Sequence, residues 1–220
     1  MSRYDAPTLL TPPREEEEVY PYRRVWPSII MQSGLLFGVA TVLFVASAFF
    51  GINVPTGLRN SFNTLLALTP ALLWGFFSLL PEIRAPEPRS RLLIVFIITA
   101  LGANAVGIPL LRDSLQPERW LSLSDFFGRI IGYAVTIGII REAIKYMALR
   151  FTVWPGYYRV REDAIAYGVA AAIAYATVES LHFSLNSSAA PDIVAARVFF
   201  TVAVHMLATL TISYGLSELH

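Results

Sequence analysis

The sequence contains no cysteine in 220 residues. That excludes disulfides, thiolate metal sites and a cysteine nucleophile. Charge is scarce as well. Charged residues make up 15% of the chain, where a soluble domain carries about 25%. Hydrophobic residues reach 55% and the mean hydropathy is +0.55. A disordered chain is excluded, and a soluble globular enzyme is disfavoured. The net charge of +1, from 17 basic and 16 acidic residues, offers no nucleic-acid surface. Histidine is limited to three positions, His182, His205 and His220.

What is present is a series of long apolar segments. The first 27 residues are polar and carry an acidic run, Glu15 to Glu18. No basic start leads directly into an apolar stretch, so no cleaved signal peptide is expected. Tyr20, Tyr22, Arg23, Arg24 and Trp26 then resemble the interfacial belt that precedes a membrane helix. Six apolar segments follow, near 28–50, 61–80, 91–111, 124–147, 163–184 and 193–216. Each reaches the roughly 20 residues that a bilayer-crossing helix needs. The expected fold is an all-α polytopic membrane helix bundle of about six transmembrane helices. Residues 1–27 read as a polar tail and 28–217 as the bundle. Pro81, Pro86 and Pro88 interrupt the chain after the second segment, and Trp154-Pro155-Gly156 after the fourth.

Lysine and arginine in the loops set orientation. One side collects Arg3, Arg14, Arg23, Arg24, Arg84, Arg89, Arg91, Arg150, Arg159 and Arg161. The other has Arg59, Arg112, Arg119 and Arg197. The asymmetry places both termini in the cytoplasm. A bacterial inner membrane is expected, with lipid as surroundings and a membrane protein as substrate or complex partner. Small residues recur at four-residue spacing at Gly34 and Gly38, at Gly128 and Gly132, and at Gly168, Ala172 and Ala176. Such ladders allow close helix contact and suggest that spans four and five are interior.

Ionisable residues concentrate in the last three spans. Asp125, Arg129, Arg141, Glu142, Lys145, Glu179, His182 and His205 lie there, whereas span three offers only Asn104 as a strongly polar side chain. Each ionisable group within a bilayer costs about 3 kcal/mol, so such groups face an interior site. His205 has apolar neighbours on both sides and is either hydrogen-bonded across helices or a metal ligand or proton carrier. Glu179 and His182 stand at i, i+3 on one helical face, a spacing at which a carboxylate and an imidazole can share a metal. Glu142 and Lys145 stand at i, i+3 and can pair. Asp125 and Arg129, at i, i+4, and Asn104 read as interfacial and interhelical contacts. With straight helices, Glu142 and Glu179 differ in depth by roughly 15 Å. The two would meet only if spans four and five are staggered or the turn around 150–162 dips inward.

Taken in order, Arg141-Glu142-x-x-Lys145, Tyr167-Gly168, Ala174-Tyr175-Ala176-x-x-Glu179, Arg197, His205 and Tyr214-Gly215 resemble the PrsW family of intramembrane metalloproteases, within the group that contains the CAAX prenyl proteases. The resemblance covers about residues 138–217, within a core at 124–217. It implies a zinc ion held by Glu179, His205 and His182, with Glu142 as catalytic base or supporting carboxylate and Lys145 and Tyr175 in support. Zinc lowers the pKa of bound water to about 7, and a carboxylate can take the proton. The implied substrate is a membrane-embedded protein, anti-sigma-like by family analogy. Two positions depart from the family pattern. Its first glutamate is Arg141 here, and no later histidine helix follows His205. The same superfamily includes a non-proteolytic scaffold, the multi-spanning subunit of gamma-secretase. A non-catalytic scaffold or accessory subunit of a membrane complex is therefore the alternative expectation. A small transporter is the third, although no inverted repeat supports it.

Overall fold

The computed structural model describes residues 25–85 and 88–218. The acidic run, Tyr20, Tyr22, Arg23, Arg24, Pro86 and His220 lie outside the described residues. The described chain is all helical, without a strand. Helix α1 is Val25–Phe50, α2 Thr56–Ile83, α3 Leu92–Leu115 and α4 the short Pro117–Leu121. Helix α5 covers 126–152, α6 is Arg161–Asn186 and α7 Pro191–Glu218. Five of these, α1, α2, α3, α6 and α7, are long and apolar enough to cross a membrane. Helix α5 corresponds to the fourth expected span and carries Arg129, Arg141, Glu142, Lys145 and Arg150. Its charges are what set it apart from the other five.

The helix ends follow local chemistry. Helix α1 stops where Gly51 turns left-handed at φ 63°, a conformation that costs glycine nothing. The Asp125 carboxylate accepts from Gly128 N at 3.2 Å and caps α5. Arg129, one turn on from Asp125, donates to the Ser124 carbonyl at 3.0 Å. Asp163 caps α6 by accepting from Arg159 N at 2.8 Å and Val160 N at 3.2 Å. Pro191 opens α7, where a missing N–H costs nothing. Helices α2, α3 and α5 each contain wider π-helical turns, at Gly75–Leu79, at Ala103–Gly107 and Leu110–Leu115, and at Ala134–Gly138. In α2 and α3 these turns lie beside Pro70 and Pro109, which remove backbone donors from the helical ladder.

Helix α6 is the centre of the bundle. From Asp163 to Thr177 every residue is buried, and most are alanine or glycine. Helices α7, α2 and α3 pack around it, α1 packs mainly on α7, and α5 touches α3 and α6. Small side chains make this possible. A Cβ on Gly168 would lie 2.1 Å from Ser213 Oγ and 2.8 Å from Ser213 Cβ of α7, so only glycine fits that crossing. The other expected ladders differ. A Cβ at Gly34 or Gly38 meets nothing within 4 Å among the described residues, and the pair sits on a helix that is mostly exposed. Gly132 is in close contact with Leu121 of α4, but the first half of α5 buries no residue. Span four is therefore peripheral rather than interior. Phe126, Phe127, Ile130 and Ile131 face outward, as a lipid-exposed helix requires.

The end of the bundle opposite the site described below is held by a buried ionic clamp. Arg89 Nε donates to Asp163 Oδ1 at 2.6 Å, and its Nη1 lies 3.4 Å from Glu82 Oε2. All three residues are buried. The clamp ties the start of α6 to the connection between α2 and α3. Replacing Asp163 with alanine removes both the α6 cap and a partner of a buried guanidinium. We expect a loss of about 3 kcal/mol, the low end for a broken buried pair because Glu82 still faces Arg89. Thermal unfolding in detergent, followed by far-UV circular dichroism, measures it. An unchanged midpoint would show that the clamp is solvated.

Candidate functional site

Three helices bring the expected site residues into one cluster. Helix α5 supplies Arg141, Glu142 and Lys145, α6 supplies Tyr175 and Glu179, and α7 supplies His205 and Thr209. On α5 the i, i+3 spacing turns Glu142 and Lys145 to the same side, and the two form an ion pair. On α7, His205 and Thr209 are one turn apart and share a face. His205 falls half-way along this 28-residue helix.

The hydrogen bonds run in a closed sequence. The Lys145 ammonium is fully buried. Its three donors go to Glu142 Oε1, to His205 Nδ1 at 2.9 Å and to Thr209 Oγ1 at 2.7 Å. Thr209 Oγ1 donates in turn to Glu142 Oε2 at 3.1 Å. The other ring nitrogen, His205 Nε2, lies 3.1 Å from Glu179 Oε2. Glu179 Oε1 accepts from Arg141 Nη2 at 2.6 Å. The Tyr175 ring packs on the imidazole at 4.9 Å between centroids.

This order assigns the histidine tautomer. A lysine ammonium only donates, so Nδ1 accepts. Nε2 then carries the proton and donates to Glu179. The neutral ring leaves two carboxylates against two cations. The cluster is neutral by itself, which is what a site within the bilayer demands.

The predicted depth difference between Glu142 and Glu179 is resolved in an unexpected way. The two carboxylates do not meet. They sit at opposite edges of the His205 ring, with the Lys145 ammonium on the Glu142 side. His182 is also apart from this sequence of contacts. Its Nε2 lies 3.0 Å from Asn104 Oδ1, in the π-helical turn of α3, which is the interhelical contact expected of Asn104. His182 and Glu179 nevertheless line the same cavity of about 440 Å³.

Whether these residues fit a metal follows from their donor chemistry. A zinc site needs deprotonated ligands with free lone pairs, closing on one point. Both ring nitrogens of His205 are committed, one as acceptor and one as donor. Glu179 faces a guanidinium. No group of three or more histidine, aspartate or glutamate side chains converges among the described residues. A divalent cation would also take the neutral cluster to an excess of two positive charges. The residues as arranged do not fit zinc. Arg141, at the position of the family's first glutamate, is the main reason.

Sequence reasoning did not single out Thr209. Its four-residue spacing from His205 was the available signal. Nor did it assign Arg141 a partner, because the guanidinium stands out in the sequence as a departure from a motif and not as a counter-ion for Glu179.

Residues 87–219 match the PrsW family intramembrane metalloprotease family. The match extends upstream of the motif-bearing segment to include α3, the helix that supplies Asn104. No curated protein and no solved structure gives a match. With its membrane-spanning helices and ordered motif residues within that match, the chain is an integral membrane protein and belongs to the PrsW family of intramembrane metalloproteases.

Proposed function

We propose that this chain keeps the intramembrane cleft of the PrsW family but does not hydrolyse peptide bonds, and serves as a non-catalytic scaffold or accessory subunit of a membrane protein complex. One observation carries this reading. Arg141 Nη2 holds Glu179 Oε1 at 2.6 Å, so a fixed cation stands where a metal ion would have to bind. The donor pattern around His205 agrees with it. In this reading Glu142–Lys145 and Glu179–His205 are structural pairs, and the Arg141–Glu179, Lys145–His205 and Lys145–Thr209 contacts between them fix α5 against α6 and α7. The domain reading that goes with it is a polar cytoplasmic tail at 1–27 and a transmembrane bundle at 28–217, with a PrsW-like segment at 124–217. The arginine asymmetry supports cytoplasmic termini in a bacterial inner membrane.

A second reading, an intramembrane zinc metalloprotease, is favoured by the cavity that reaches Glu179 and His182. It assigns zinc to Glu179, His205 and His182 and the catalytic base to Glu142. It requires the Arg141–Glu179, Lys145–His205 and His182–Asn104 contacts to open together.

Elemental analysis of the detergent-purified chain separates the two. We expect no stoichiometric zinc in the wild type and none in His205→Ala. Arg141→Glu should gain zinc, because it restores a carboxylate and turns the neutral cluster anionic. Zinc in the wild type that is lost in His205→Ala would overturn the non-catalytic reading.

The structural role has its own signature. Lys145→Met alone leaves the half-buried Glu142 without its cation and should cost about 3 kcal/mol, the low end for a broken buried pair because Glu142 is partly exposed. The double variant Glu142→Leu with Lys145→Met removes both charges and should recover most of that loss, since apolar replacement of a buried pair is often neutral or stabilising. Thermal unfolding of the two variants side by side reads the difference. Equal losses would show that the pair is not a structural unit.

A further inference from the structure

The cavity beside Glu179 is built for an anion. It opens at the end of the bundle where α3 runs into α4 and α6 runs into α7. Four arginines line it, Arg112, Arg119, Arg141 and Arg197, against two acids, Glu118 and Glu179. Glu179 is already held by Arg141 and His205. Among the described residues, no ion pair holds Arg112, Arg119 or Arg197. The Arg197 guanidinium lies over the Phe183 ring, 4.1 Å from its centroid, and both residues line the cavity.

Two buried polar atoms at this cavity lack partners. Arg141 Nε and the Tyr175 hydroxyl make no hydrogen bond among the described residues. Both belong to residues that line the cavity. Both atoms are shielded from solvent, so the charge a ligand meets is that of the arginines lining the cavity. The remaining wall is mixed, with Gln116, His182, Asn186 and Ser187 beside an apolar part formed by Ile108 and Leu111 of α3, Ile137 of α5 and Phe183 of α6. A small hydrophilic anion has no use for that apolar part, whereas an acyl chain does.

We propose that this cavity binds the phosphate of an anionic membrane lipid, with its headgroup among Arg112, Arg119, Arg141 and Arg197 and a chain along Ile108, Leu111 and Phe183. The assignment rests on the reading that Arg141 stays on Glu179 and is not displaced by a metal. The arginine fork recognises phosphate oxygens in pairs, and surface-level arginines draw anionic headgroups from the bilayer. The lipid would act as a wedge between α3, α5 and α6, holding the Arg141 side chain from the side that Glu179 does not occupy.

Thermal unfolding of the full-length chain in non-ionic detergent with EDTA tests the proposal. The probes are phosphatidylglycerol, phosphatidylcholine and inorganic phosphate. Phosphatidylglycerol should raise Tm in proportion to the logarithm of its concentration. Phosphatidylcholine, whose net charge is zero, and inorganic phosphate should not. Arg112→Gln and Arg197→Gln alter exposed side chains and should fold normally. Each should weaken the apparent affinity about tenfold by removing a charge-assisted contact. Arg197→Lys should recover only part of the effect, because it keeps the charge and loses the fork. An equal shift with phosphatidylcholine, a shift reproduced by inorganic phosphate alone, or wild-type affinity in the double variant would each overturn the proposal. A stabilisation by zinc when EDTA is left out would instead count against the non-catalytic reading. Lipid selectivity measured in EDTA would still decide this one.

Discussion

The ion pair between Arg141 and Glu179 is the contact on which the buried cluster depends. Arg141, Glu142, Lys145 and Glu179 carry four formal charges on helices that lie in or beside the bilayer. Unpaired, at about 3 kcal/mol each, they would cost roughly 12 kcal/mol, as much as a whole domain's stability. Paired, the four cancel, and the neutral His205 links the two halves. The arrangement closes only as a whole. Removing Arg141 leaves Glu179 facing a neutral imidazole, and removing Lys145 leaves Glu142 with a threonine hydroxyl. The first half of α5 buries nothing, so its position is set in the second half, by this cancellation together with the burial of Ala148 and Leu149.

That dependence explains the division of labour among the helices. Helix α6 is fixed by small residues and by the Arg89–Asp163 clamp at its start. Helix α7 lies against it through the Gly168–Ser213 crossing. These contacts are dense and specify a rigid pair. Helix α5 adds the charged contacts of the cluster to the burial of Ala148 and Leu149, and α3 adds the Asn104–His182 hydrogen bond to the burial of Leu92 and Val95. The cleft lies between α6 and α7 on one side and α3 and α5 on the other.

Much of this was legible in the sequence. Hydropathy gave all six segments and their ends to within a few residues, because a bilayer leaves a helix little choice of length. The ionisable residues pointed to spans four to six, because their cost in lipid confines them to an interior. The ordered motifs led to the family. What was not legible depended on side-chain reach. A depth difference computed from straight helices separated Glu142 from Glu179, and the separation is real. It is bridged by the Lys145 ammonium and the imidazole, which no spacing rule reports. The glycine pairs at Gly34 and Gly132 show the opposite limit. Small residues permit close helix contact, but a partner must be present, and span one has none at Gly34.

Arg141 connects the two halves of the functional reading. At its Nη2 it neutralises a carboxylate that the family's chemistry would assign to a metal. Its side chain also lines the cavity, where it adds to the positive charge of three other arginines. A glutamate at this position would do neither. It would add negative charge beside Glu179, call for a divalent cation, and repel the phosphate that the other three arginines attract. One substitution thus changes the sign of the cleft. A site suited to a metal and to an electron-rich water becomes a site suited to an anion. The loss of hydrolytic chemistry and the gain of an anionic ligand are, on this argument, two consequences of the same guanidinium.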